Sequence, residues 1–175
     1  MPTKLWLLGF VTVVTPALAQ TGTPIMGAIM PRYQTAKMNM VEAAQLMPED
    51  SYSYQLTAGQ RSFAEWIEHN AGMNYGMCAQ ITGKAATDAP KVTPKSPKAD
   101  LVKALESSFA FCDSAFQSMT DEKSVQPVSL GGRQYVPVNV MVALLTNWYG
   151  HYGNMVGYLR TKGLTPPSTA RSQKK

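Results

Sequence analysis

The segment from Pro137 to Gly163 constrains the fold of this chain more than any other. A proline suited to the first helical turn opens it, a glycine suited to a left-handed C-terminal position closes it, and no proline lies between them. At 100° per residue, Leu144, Trp148, His151, Met155 and Leu159 fall within roughly a third of a turn of one another, which predicts one long helix with an apolar stripe. A stripe of that kind is buried against other elements. His151 lies within it, and Asn147 stands one turn earlier on the edge of the same face. These residues alone leave two readings of His151 open: a buried imidazole hydrogen-bonded to a neighbour, or a metal ligand.

Three further stretches offer partners of the same kind. Tyr33, Ala36, Met40, Ala44 and Met47 repeat at helical spacing until Pro48 stops them. Ser62-Phe63-Ala64-Glu65 reads as a capping box opening a second helix that runs to about Thr82 and ends at Gly83. Its buried face carries Phe63, Trp66, Ile67, Met77, Cys78 and Ile81, but also Asn70 and Asn74, with His69 at the edge, and is unusually polar for a core. A third helix is expected after Ser96 as N-cap and Pro97 at its first position, with Leu101, Leu105, Ser108, Cys112, Ala115 and Met119 as its stripe. The pattern breaks from Thr120 to Val136, where Leu130-Gly131-Gly132-Arg133 is compatible with a short hairpin or an irregular loop. Four amphipathic helices without a convincing sheet imply an all-α four-helix bundle, in which sites are built from side chains projecting inward from facing helices.

The order of the helices in space follows from their lengths. His69 lies about 9 Å from the start of the second helix and His151 about 21 Å from the start of the fourth, so the two come level only if these helices are antiparallel. Cys78 and Cys112 each fall fifteen residues after Phe63 and Pro97, and come level if the second and third helices are parallel. The proline- and lysine-rich connection from Gly83 to Lys98 can reach roughly 50 Å, enough to return along a helix of about 30 Å. The expected arrangement is therefore up-down-down-up with a long crossover between helices two and three. Cys78 and Cys112 are candidates for a disulfide, against the alternative of two small buried apolar side chains.

The ends of the chain read differently from its body. Lys4, the apolar run Leu5 to Val14 and Ala17-Leu18-Ala19 form the pattern of a secretory signal peptide over residues 1–19, cut before Gln20. The run is shorter than the ~20 residues that span a bilayer, so no membrane span is expected after cleavage, and the mature chain is expected to be secreted or periplasmic. Residues 20–165 are expected to form the bundle. Residues 166–175 are expected to be a disordered basic tail. Without Lys4, Arg171, Lys174 and Lys175 the body holds 12 basic and 11 acidic residues, with no basic stripe to suggest nucleic acid. HExxH, P-loop and GxSxG patterns are absent, and with only two histidines any nucleophilic triad would have to use one of them.

The segments R-S-F-A-E-W-I-E-H at Arg61 to His69, F-A-F-C-D at Phe109 to Asp113, and H-Y-G-N-M-V-G-Y-L-R-T-K-G-L-T-P-P-S at His151 to Ser168 together resemble the DinB-like superfamily. The resemblance extends over essentially the whole mature chain. It implies a four-helix bundle holding a divalent metal, zinc or nickel, through one histidine of the second helix and two of the fourth in an H-x-x-x-H pattern. His69 matches the first and His151 the last, while Asn147 stands at the middle position, where an amide is a poor replacement for imidazole. Relatives with thiol-transferase or isomerase activity use such a metal to activate a thiol or water, which implies for this chain a hydrolase- or thiol-transferase-type activity on an unidentified small molecule, and a homodimer is left open. The alternative is a non-catalytic bundle that has lost metal binding and serves as a binding or structural module.

Overall fold

The computed structural model describes residues 23–174, so the expected signal peptide lies outside the described residues. The chain forms α1 (Pro24–Leu46), a single 3₁₀ turn (Glu49–Ser51), α2 (Phe63–Thr82), α3 (Lys98–Gln117), α4 (Asp121–Ser124), β1 (Val128–Leu130), β2 (Arg133–Tyr135), α5 (Pro137–Thr161) and α6 (Pro167–Ser172). The four long helices make the bundle, and α5 is the fourth of them. Among the described residues no helix is long and apolar enough to cross a membrane.

Side-chain pairs fix the helix directions. Asn70 meets His151 and Asn74 meets Trp148, so α2 and α5 run antiparallel. Asn74 meets Ser108 and Cys78 is joined to Cys112, so α2 and α3 run parallel in one constant register. Tyr33 and Lys37 bond Asp113 while Gln45 bonds Glu106, which makes α1 antiparallel to α3. Up-down-down-up follows. The disulfide, with 5.3 Å between Cα atoms, ties α2 to α3 inside a core where both cysteines are fully buried. Beside it Tyr33 stacks on Phe116 at 4.1 Å between ring centroids, and Trp148 closes the cluster against Phe109 at 5.4 Å.

Local sequence explains most element ends. The capping box at α2 is complete, with Ser62 Oγ accepting from Glu65 N and Glu65 Oε2 accepting from Ser62 N. Gly83 closes α2 at φ +72°, and a Cβ there would meet the carbonyl oxygen of Ser129 at 2.8 Å, so the close approach of β1 requires glycine. The segment open to two readings is a hairpin, pairing Val128 with Tyr135 and Leu130 with Arg133 across Gly131 and Gly132, both at positive φ. α3 starts one residue later than expected: Pro97 is the N-cap, and Ser96 Oγ instead accepts from Thr93 N.

Two expectations are corrected. α1 begins at Pro24 rather than near Tyr33, carries Pro31 in its interior, and has its first amides capped from outside: the Asp121 carboxylate accepts from Ile25 N and Met26 N at 2.9 and 2.8 Å. The tail expected to be disordered instead folds as α6 and docks. Pro167 suits a first helical position, Ser168 N donates to the Tyr152 hydroxyl at 3.0 Å, and Arg171 bonds Glu42 and Asn39 of α1.

Candidate functional site

The seam between α2 and α5 contains both histidines of the chain. The antiparallel register sets residue 70 opposite residue 151, and this brings the His69 and His151 rings to 5.1 Å between centroids with 61° between their planes. Trp66, one turn before Asn70 on α2, packs its ring 5.0 Å from His151. The Arg61 guanidinium lies over the other end of this group, 5.1 Å from the Trp66 ring centroid. Both imidazoles are half-buried, while the flanking Trp66 and Asn70 are buried.

Asn70 orients His151. Its amide nitrogen donates to the carbonyl oxygen of Trp66 at 2.7 Å, which turns its oxygen toward His151. That oxygen lies 2.7 Å from His151 Nδ1, an acceptor facing the ring, so Nδ1 carries the proton and donates, leaving Nε2 with a free lone pair. One turn along, Asn74 accepts from Trp148 Nε1 at 2.7 Å and donates to Ser108 Oγ at 2.9 Å. The polarity of the α2 face is thus a ladder of two asparagines between helices. Sequence reading registers both as polar residues on an apolar face but misses Asn70 as the residue that sets the histidine tautomer. Its place next to His69 is the available signal.

Asn147, the third expected member, is half-buried, and its amide nitrogen faces Met77 Sδ at 3.8 Å. The structure brings His69 and His151 together and turns the Asn147 amide toward a sulfur. Ring centroids at 5.1 Å suit two nitrogens on one ion: with nitrogen about 2.1 Å from the ion and a tetrahedral angle, centroids fall about 5.3 Å apart. The count of donors falls short. A catalytic zinc site has three protein ligands, and among the described residues no group of three or more His, Cys, Asp or Glu side chains could hold a metal ion. The chain therefore does not reproduce the three-imidazole centre that the resemblance implies.

The pair is electrostatically set to stay neutral. Burial pushes the pKa of His151 down to about 4, helped by the neighbouring His69 and by the Arg61 charge. Burial and Arg61 also lower His69, against an opposing pull from Glu68. The unfolded chain binds a proton at His151 near pH 6.5 and the folded chain only near pH 4, so between these values the unfolded state holds more protons. Stability is then complete above pH 6.5 and falls as pH drops through this window. Urea midpoints between pH 7.5 and pH 4 are expected to decline, and to decline less in His151→Gln; equal pH dependence in the two proteins would contradict the assignment.

The fold and the site define a crossover four-helix bundle with two apposed imidazoles set in one inter-helix seam. The sequence pattern of the DinB family matches residues 28–175. This chain belongs to the DinB family. Solved structures share its fold: a DinB-like protein from Bacillus subtilis has a TM-score of 0.63 at 19% identity, covering 79% of this chain and 93% of that one. Another from Bacillus cereus has a TM-score of 0.62 at 14% identity, covering 81% and 95%. A mutant of a mycothiol-dependent maleylpyruvate isomerase has a TM-score of 0.60 at 12% identity, covering 74% and 60%. No curated protein sequence matches the chain.

Proposed function

We propose that this chain is an exported DinB-family bundle whose role centres on binding an ion between His69 and His151 rather than on turnover. The observation that carries this reading is the apposition of the two rings at 5.1 Å, with Asn70 holding His151 in the tautomer that frees Nε2. Two neutral ring nitrogens would hold zinc or nickel weakly, with solvent completing the shell. Asn147 adds little while its amide faces Met77. Two imidazoles without a third strong protein donor give little support to a hydrolase or thiol-transferase step. Export is supported by the signal pattern over residues 1–19 and by a disulfide suited to an oxidising compartment.

One observation favours a second reading, a bundle that binds no metal. The bond from His151 to Asn70 already satisfies one ring nitrogen of a half-buried histidine, as a purely structural pair would. Calorimetric titration of the tag-free protein with zinc separates the two. The ion-binding reading expects one weak site that disappears in His69→Ala. Identical heats for both proteins would leave the structural pair as the better account.

A further inference from the structure

The α2 side of the seam carries a second kind of donor. Met73 and Met77 follow His69 at intervals of four residues, and both are half-buried against the core. Side chains on a helix lean toward its N-terminus, and Cβ atoms four residues apart lie about 5–6 Å from one another, so Met73 stands one turn from His69 on the same row of α2. That this row looks into the seam is recorded one turn further on, where Met77 Sδ lies 3.8 Å from the Asn147 amide across the interface. In the antiparallel register Met73 falls between the level of the imidazole pair and that of Asn147. The third imidazole that the family pattern places on α5 is missing; the sulfur beside that position is Met77 Sδ, and Met73 stands one turn nearer the level of the imidazole pair.

We propose that His69, His151 and Met73 form a site for a soft monovalent metal ion of the copper(I) class. The proposal rests on the reading that the two histidines bind an ion, and adds which donor completes the set and which ion it selects. Two imidazole nitrogens and one thioether are all neutral and comparatively soft. Thioether is not among the usual zinc donors, which are thiolate, imidazole and carboxylate, so its presence counts against zinc more than against a soft ion. Thioether sulfur favours copper(I), for which three-coordination by such donors is sufficient. Asn70 serves this ion as it would any other, by occupying Nδ1 of His151 and leaving Nε2 free to bind.

Silver(I) is the probe, being monovalent, soft and inert to redox under the conditions of titration. Both cysteines of the chain are in the disulfide, so no thiol competes for it. Silver nitrate and zinc chloride are titrated separately into oxidised full-length mature protein, followed by calorimetry and by the shift in unfolding midpoint. The same is done for His69→Ala, Met73→Leu and Met38→Leu, the last removing a methionine exposed elsewhere on α1. The wild type is expected to bind one silver ion at least about tenfold more tightly than zinc, and Met73→Leu to lose about tenfold in silver affinity with little change for zinc. Met38→Leu is expected to match the wild type. If silver binding depends on His69 but is unchanged in Met73→Leu, the histidine pair stands and the thioether assignment falls. If neither ion binds in a His69-dependent way, both fall. Silver-edge X-ray absorption on the wild type is independent of how the variants fold: a sulfur neighbour is expected, and a shell of nitrogen and oxygen alone would overturn the proposal.

Discussion

Opening the Cys78–Cys112 disulfide is expected to lower the thermal midpoint by roughly 10 °C. The bond closes a loop spanning 34 residues of sequence separation, which in the chain-entropy account corresponds to about 4 kcal/mol of constraint on the unfolded chain. For a domain of this size each kcal/mol moves the midpoint by about 2–4 °C. The loop includes the whole crossover from Gly83 to Pro97, a stretch with no helix or strand and no fully buried residue. Without the cross-link, packing and the Asn74–Ser108 hydrogen bond are left to hold α2 and α3 side by side in the parallel sense, and that sense is the costly one because its connection is long. The native core contributes on the same side. Both cysteines are fully buried, and the reduced thiols would have to fit where two bonded sulfurs now sit. Calorimetry of the oxidised protein, the reduced protein and the Cys78→Ala/Cys112→Ala double variant reads the effect. A midpoint change under about 2 °C would mean that the bond adds nothing beyond the packing around it.

The parts of this fold that could be read in the sequence share one property: their cause is local. The 3.6-residue period of α5, the capping box at Ser62 and Glu65, and the glycine at the end of α2 involve neighbours within a turn or two, and the structure places each as expected. Helix directions were also legible, because the axial rise converts the positions of His69, His151, Cys78 and Cys112 into levels along a bundle. What could not be read depends on partners far away in the chain. The start of α1 is capped by Asp121, some 95 residues on, and Pro31 hides the continuity of the helix. α6 is ordered by Tyr152, Glu42 and Asn39, none of which is visible from a tail rich in lysine and serine. The site divides the same way. Periodicity puts His69, Asn147 and His151 along one seam, but whether an amide turns toward an imidazole or toward Met77 is a matter of side-chain rotation, and the sequence carries no record of it.

Replacing that amide is the change expected to alter metal affinity most: Asn147→His should tighten zinc binding by about 100-fold or more. Outer-shell partners of metal ligands alone are worth about 10–100-fold in affinity, and a third direct imidazole contributes more than a partner does. Position 147 is four residues before His151, and histidines at that spacing on one helix face are a recurrent way to bind zinc. The seam can supply the rest. His69 and His151 are already at a separation suited to one ion, and His151 presents Nε2 because Asn70 holds the opposite nitrogen. The longer imidazole gives up only the weak contact from the Asn147 amide to Met77 Sδ at 3.8 Å, so the cost in stability is expected to be small. If the new ring instead stays beside Met77, the midpoint changes little and zinc affinity not at all. That result would show that the backbone register at position 147, and not the loss of the imidazole alone, keeps this bundle from assembling a three-histidine centre. Zinc titration of the wild type, Asn147→His and Asn147→His/His69→Ala distinguishes the cases, since a gain made through the seam is lost again when His69 is removed.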